Sequence, residues 1–448
     1  MIRAAVAEAT ASLRERIAQL EGELAKARKD SSTSSKPPSS DIVKPPKPKP
    51  PGGKRRKRRR GGQPGHPRHL RAPFAPEQLD ETWLYEWTET PAGRKPLEEF
   101  RVVQQAELLQ KPYRIVEHRA RLYENVRTGK IEAVPLPKEV LRGGLLGPRL
   151  TALVAYQKGA CHMSYGTIQR FFDDVLGLPI STGELVKTVM KVSTALAPGH
   201  EQLRQALRRR ESLGIDETGH RERGRRMWSW CFHAPGSDPF TWFHIDPSRG
   251  TKVLRRCLGK AFRGIIGCDY YAAYRKFLRE TSARLQLCWA HLIRDVKFLT
   301  TLSDPVTRRY GERVLGKIKV LFRAWHRRET TPAERWRLAA EKIRGELLAA
   351  VRRAPMRKEA QNIAQRFRDH GDGYFTFLDT PGIEPTNNGP ERQIRFLAVD
   401  RKITQGTRGQ RGRQWCERIW TVIQTCSQQS RSVFEFLCSA VTGLSPFG

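Results

Sequence analysis

Three acids in this chain stand where carboxylates can gather: Asp216 in "LGIDETGH", Asp269 in "GCDYYAAY" and Glu391 in "NNGPERQIRF". Each also has an ordinary structural reading. Asp216 ends an apolar stretch and reads as a turn residue or cap, and Asp269 reads as the N-cap of the helix after it. Glu391 lies four residues before Arg395, the spacing of an exposed helical ion pair. Neighbouring side chains on a strand point to opposite faces, so Asp216 and Glu217 cannot both face one site, and the positions of Leu213 and Ile215 do not choose between them. Asp269, however, closes the apolar strand "GIIGCD", and α/β sheets place ligand sites at such carboxyl ends. Ile394 and Ala398 flank Glu391 and turn that helix face toward protein. Pro390 suits the first helical position, with Gly389 or Asn388 as cap. A helix start favours the ionised carboxylate, the form a metal ligand must take. Three oxygen donors suit hard divalent ions, Mg2+ or Mn2+. Two such ions about 4 Å apart activate a nucleophile and steady the leaving oxygen in phosphoryl transfer.

The elements that must position these acids are legible in order. "ESLGID", "RRMWSWCFHA" and "FTWFHID" read as three strands, with Arg249 and Gly250 at a turn before a helix over 251–261. Then come the strand "GIIGCD", the helix "YAAYRKFLRE", the strand "RLQLCW" and the helix "AHLIRDVKFL". Three antiparallel-style strands followed by alternating helices and strands is the order of an RNase H-like fold. In that fold the first strand, the end of the fourth strand and a late helix converge at one edge of the sheet. The core is expected over 211–400, with a basic helical insertion at about 303–372 and a C-terminal helical region over 401–448. Residues 143–210 turn helical, and "SYGTIQRFFDDVLGLPISTGELVKTVMKV" reads as helix, turn and a second helix capped by Ser181 or Thr182. That pattern fits a DNA-reading helix-turn-helix and equally a plain helical hairpin.

The N-terminal part has a different character. Over residues 1–30, Val6, Thr10, Leu13, Ile17, Leu20, Leu24 and Ala27 repeat at spacings of four and three. This is a short heptad seam suited to a leucine-zipper-like dimer, or an amphipathic helix packed on its own chain. Residues 31–74 are rich in Ser, Pro and Gly and carry seven consecutive cations, Lys54, Arg55, Arg56, Lys57, Arg58, Arg59 and Arg60. Such a segment is expected to be a disordered linker, either a solvated charge run or a phosphate-binding arm. Residues 75–140 alternate weakly and read as a small β-rich module.

Composition narrows the partner. Of 448 residues, 82 are Lys or Arg and 46 are Asp or Glu, a formal net charge of +36. That excess implies a polyanion, double-stranded DNA before an anionic membrane. No apolar run is long enough to span a bilayer and no signal-peptide core opens the chain, so a cytoplasmic, nucleoid-associated protein is expected. The eight cysteines are scattered singly, which suits reduced thiols.

Taken with "SSKPPSSD", "GGQPGHP", the "DET" at 216–218, "GCDYYAAY", "CWAHLIRDVKF" and "NNGPERQIRFLAVDRK", the chain resembles transposases of the insertion-sequence 66 family, a DDE-type group. The resemblance implies Asp216, Asp269 and Glu391 as catalytic, metal-holding triad. It implies DNA contacts from Arg392, Arg395, Arg401 and Lys402 beside that helix, and small accessory proteins as partners. Cys288 and His291 match the family's Cys-x-x-His element, but two ligands make no zinc site, and a structural role beside the active site is expected. Two departures stand out. Relatives carry a zinc-finger-like module after "GQPGH", whereas no cysteine here precedes Cys161, so 75–140 is expected to be a degenerate finger without zinc. The basic pair expected after the Cys-x-x-His element is reduced to Arg294, with Asp295 following.

The reading that follows is a transposase that binds the ends of its element, cuts them by metal-dependent hydrolysis and joins the 3′-hydroxyls to target DNA. The alternatives are an RNase H-like nuclease or resolvase, and a transposase-derived DNA-binding protein without catalysis.

Overall fold

The computed structural model describes residues 144–443 without a break, together with 72–86, 88–89, 97–98 and 100–137, and, within 10–24, residues 10–11, 13, 15–17, 19–21 and 23–24. The cationic run Lys54–Arg60 lies outside the described residues.

Residues 46–117 separate from the rest as one unit. Its described part contains no strand, and its tertiary ties are sparse: Gln104 pairs with the backbone N–H and C=O of Phe74 at 2.7 and 3.1 Å. The expected β-rich module over 75–140 is therefore reduced, among the described residues, to one hairpin, β1 (Leu122–Glu124) with β2 (Ile131–Ala133). All of its strand residues are exposed. Trp83 and Tyr85 stand in solvent, 71% and 83% exposed, so among the described residues these aromatic side chains do not pack strands into a second layer.

In the other unit, the described residues between 10 and 24 are helical, and Leu13, Ile17, Leu20 and Leu24 are exposed. The expected helices over 143–210 are α1 (Pro148–Gly159), α2 (Tyr165–Asp174), α3 (Thr182–Ala195) and α4 (Ala197–Leu207). Ser164 and Ser181 cap α2 and α3 by accepting from the N–H groups of Thr167 and Glu184, which satisfies otherwise orphaned donors.

The central sheet has five strands in the order β5-β4-β3-β6-β7. They are β3 (Ser212–Glu222), β4 (Arg225–Ala234), β5 (Phe240–Asp246), β6 (Ile265–Cys268) and β7 (Arg284–Leu287), with α5 (Thr251–Leu258) and α6 (Ala272–Arg279) in the crossovers. The first three are antiparallel, while β6 and β7 join β3 in parallel. One correction matters: β3 runs six residues past Asp216, which therefore sits mid-strand rather than at a turn. The polar run after Asp216 stays extended because it pairs with β4 as far as Glu222. The apolar face of β3, Leu213 and Ile215, joins Trp230, Phe232 and Trp242 of its neighbours and helices α4–α6 in one core.

After β7 come α7 (Trp289–Leu299) and then the basic insertion as α8 (Pro305–His326), α9 (Ala333–Arg352) and α10 (Lys358–His370), followed by the short α11 (Thr376–Asp379). Trp289 ties the insertion to the sheet, its ring 6.2 Å from Phe322, 5.4 Å from Tyr374 and 5.6 Å from Phe375. The chain returns as α12 (Asn388–Thr404), then α13 (Gln410–Gln428) and α14 (Val433–Thr442). Pro390 is thus the third residue of α12, not the first, and the helix crosses the boundary expected at residue 400. No helix among the described residues is long and apolar enough to cross a membrane.

The outer edge of β5 would leave alternate amides unpaired, and α13 covers it. Thr241, Phe243 and Ile245 donate their N–H groups to Thr425 Oγ1, Thr421 Oγ1 and Glu417 Oε1 at 3.2, 3.1 and 2.7 Å. The four-residue spacing on the helix matches the two-residue spacing of same-side amides on the strand. Thr421→Val keeps the volume but orphans a buried N–H, so unfolding in denaturant is expected to show a loss of about 1–3 kcal/mol. An unchanged midpoint would mean that the edge is satisfied in another way.

Candidate active site

Alternation along β3 settles which acid faces which layer. Leu213, Ile215 and Glu217 are buried on the core side, so Gly214 and Asp216 share the opposite side. That side receives the start of α12. A Cβ on Gly214 would stand 2.8 Å from Pro390 Cδ and 3.2 Å from Asn387 Oδ1, and one on Gly267 would stand 3.4 Å from the same Oδ1. The two glycines are register partners in β3 and β6, and each lies two residues before an acid, Asp216 and Asp269. The missing side chains let the helix settle onto the sheet, with Glu391 next to Pro390 at the seam. The pairing of β3 with β6 stops at Gly214, so Asp216 borders the gap that opens beyond the end of β6.

Asn387 locks this arrangement. It is buried, its Nδ2 donates to Ile215 O at 2.8 Å, and its backbone N–H donates to Cys288 Sγ at 3.2 Å. Cys288 in turn donates its N–H to Cys268 O at 2.8 Å, and Trp289 donates to Pro385 O at 3.0 Å. Cys288 is thus a joint between β6, β7 and the lead-in to α12. Burial pushes its thiol up to about 11.

The acids feel one another. Asp216 Oδ1 accepts from Glu217 N–H, and Asp269 Oδ1 from Tyr271 N–H, both at 2.9 Å. Burial first, then the charges of Glu217, Asp269 and Glu391, hold the Asp216 carboxyl well above its usual range. Glu217 lies on the core side, where burial and the charge of Asp269 push its carboxyl up and Tyr274 and Arg249 oppose that shift. Arg249 Nε and Tyr274 OH donate to its two oxygens at 2.7 and 2.5 Å. The Arg249 guanidinium also lies 4.0 Å from the Tyr271 ring centre and 4.7 Å from that of Trp228. One cation thereby clamps the two residues whose amides orient Asp216 and Asp269.

Glu391 makes no ion pair with Arg395. The basic side chain within 4 Å of its carboxylate is the imidazole of His291, Nδ1 to Oε1 3.8 Å, and these two buried atoms have no hydrogen-bond partner. Cys288, His291 and Glu391 offer donor atoms within 4.8 Å of one another. Burial lowers the His291 imidazole, and the charges of Glu391 and Asp269 oppose that shift. For a hard divalent ion the fitting donors are the carboxylates of Asp216, Asp269 and Glu391, and the orphaned Oε1 of Glu391 is the free atom such a ligand needs.

Of the cations singled out on α12, Arg392, Arg395 and Lys402 are exposed, whereas Arg401 turns inward. Its Nη1 donates to Thr218 Oγ1 at 3.2 Å and to Gly219 O, so it holds α12 against β3 rather than standing out for a phosphate. Asp295, in the place of an expected base, pairs with Arg366 of α10 at 2.6 Å. Asn387, Gly214, Gly267, Arg249 and Tyr274 were not anticipated as parts of the site. The repeated Gly-x-Asp of "GID" and "GCD" was the signal for two of them.

A five-stranded mixed sheet, with the helix α12 packed on its central strands β3 and β4, defines an α/β protein. Residues 143–414, more than half of the chain, match the Transposase IS66 family, and the protein belongs to that family. Residues 2–72 match a family of unknown function (DUF6444), and no curated protein matches the chain.

Arg249→Met would strand the Glu217 carboxylate, which is 1% exposed. Losing one partner of a buried pair costs about 3–5 kcal/mol, and about 2 is expected here because Arg249 is itself partly open to solvent. Adding Glu217→Gln should recover most of the loss in chemical denaturation. Equal instability of the single and double variants would show that Arg249 acts by packing alone.

Proposed function

We propose that the chain is a DDE-type transposase whose RNase H-like core holds divalent ions, Mg2+ or Mn2+, on Asp216, Asp269 and Glu391. It cuts the ends of its element and joins the freed 3′-hydroxyls to target DNA. The observation that supports this reading best is that the charges of Asp269, just past β6, and Glu391, at the start of α12, both act on the buried carboxyl of Asp216 in β3. The strand order and the all-oxygen donor set support it. So does membership of a transposase family, which implies DNA as the partner.

Bound divalent ions would supply activation of the attacking hydroxyl and stabilisation of the leaving oxygen. The chain's own residues supply position. Glu217 N–H and Tyr271 N–H fix Asp216 and Asp269, and Asn387 fixes the helix start beside Glu391. In the first reaction water attacks the phosphorus and the 3′-oxygen of the element end leaves, taking up a proton. In the second that 3′-hydroxyl loses its proton, attacks a target phosphodiester and expels a target 3′-oxygen, with no covalent enzyme intermediate. Exposed Arg392, Arg395 and Lys402 meet phosphates beside the site, and the Lys54–Arg60 run adds contacts at any sequence. The exposed apolar positions Leu13, Ile17, Leu20 and Leu24 suit a homodimer that holds two ends at once. Small accessory proteins complete the expected assembly.

Glu391→Gln keeps the shape but removes the charge that a hard cation requires. The variant is expected to bind end DNA like wild type yet to lose cleavage and joining by orders of magnitude, with Asp216→Asn and Asp269→Asn alike because ligands of one unit fail together. An active Glu391→Gln protein would remove it from the site, and cleavage without joined products would mark a nuclease. Deleting residues 31–74 should flatten the slope of log affinity against log salt, by up to about 6 from the seven-cation run alone, since each neutralised phosphate contributes about 0.9. An unchanged slope would make the segment a passive tether.

A further inference from the structure

We infer that His291 is a fourth protein ligand of the cation site, its Nδ1 binding the same divalent ion as Glu391. The inference rests on the carboxylate site proposed above and extends it from an oxygen set to a mixed nitrogen and oxygen set.

Two unpartnered atoms face each other there. His291 Nδ1 and Glu391 Oε1 are both shut off from solvent, both lack a hydrogen-bond partner, and they stand 3.8 Å apart. That separation is too long for a hydrogen bond. It is short enough for one ion, with bonds of about 2 Å to each ligand, to hold both. A single buried polar atom left unpaired costs about 1–3 kcal/mol, so two of them on one gap point to a common occupant. Asp269 is close enough that its charge acts on the same imidazole.

The ring is carried rigidly with its partner. His291 lies in the first turn of α7, and that turn is tied to the lead-in of α12 twice, by Trp289 N–H on Pro385 O and by Asn387 N–H on Cys288 Sγ. Cys288 belongs to the same cluster but has a different task, because its sulfur already accepts the Asn387 N–H. The Cys-x-x-His spacing therefore provides one structural sulfur and one metal-facing nitrogen, with the two intervening residues setting their separation on the helix turn. An imidazole donor makes the site softer than carboxylates alone, which favours Mn2+ over Mg2+.

The test is electron spin-echo envelope modulation of the full-length protein loaded with Mn2+ alone. Wild type should show the modulation of a directly coordinated 14N. His291→Gln should lose it and bind Mn2+ weaker on the order of tenfold, at the low end of what disturbed metal shells cost. Bound Mn2+ without nitrogen modulation in wild type, or modulation that survives in His291→Gln, overturns the assignment. If Asp216→Asn still abolishes Mn2+ binding in that case, the carboxylate site stands without His291. A wild-type protein that binds no Mn2+ overturns both. Because the wild-type spectrum is itself decisive, the outcome does not depend on how well the variant folds.

Discussion

Gathering carboxylates is electrostatically unfavourable, and that repulsion sets the demands on everything around them. Two unit charges 4 Å apart repel by about 4 kcal/mol at an effective dielectric of 20. A single hydrogen bond returns about 1 kcal/mol net. No one contact can hold Asp216, Asp269 and Glu391 together, so the frame must. It does so by close approach: glycines at 214 and 267 let Pro390 and Asn387 reach the sheet, and Asn387 bonds both to β3 and to the residue after β7. The raised Asp216 carboxyl records the strain that remains. A carboxyl raised in the folded state binds its proton more tightly there than in the unfolded chain. Without a cation, its contribution therefore erodes stability as pH rises above the ordinary carboxylate range.

The same constraint explains why Glu217 needs so much support one residue from Asp216. Strand alternation sends it to the opposite layer, where burial would leave an uncompensated anion. Arg249 offsets its charge, Tyr274 donates a hydrogen bond to it, and the stacking of Arg249 on Tyr271 reaches back to the loop that holds Asp269. The site is therefore two-sided. Asp216 lies on the α12 side of the sheet, and Arg249, which balances the charge of Glu217, lies on the α5–α6 side.

Much of this was legible from the residues. β4 and β5 fall where runs of alternating and aromatic residues predict them, because both faces of those strands are covered and burial dominates. The helical insertion was legible from its period and charge. The length of β3 was not, since "DETGHRE" is polar and stays extended only through long-range pairing with β4. Nor was the role of α13. Glu417, Thr421 and Thr425 look like an ordinary helix face, and their use as stand-ins for a neighbouring strand exists only once β5 lies beside them. Arg401 misled for a related reason. A cation in a basic segment suggests phosphate, but its place in the helix turns it toward β3.

That misreading bears on how a protein of net charge +36 can keep an anionic site. Cations that neutralise the acids directly would compete with metal, and cations too far away would leave the approaching phosphates repelled. Here the inward cations, Arg249 and Arg401, serve the scaffold: one holds Glu217 from the far face, the other anchors α12 about three turns beyond Glu391. The outward ones on the same helix, Arg392, Arg395 and Lys402, remain exposed beside it. The helix thus sorts charge by face. Its start brings the acid to the gap, its inner side grips the sheet, and its outer side turns positive charge toward solvent.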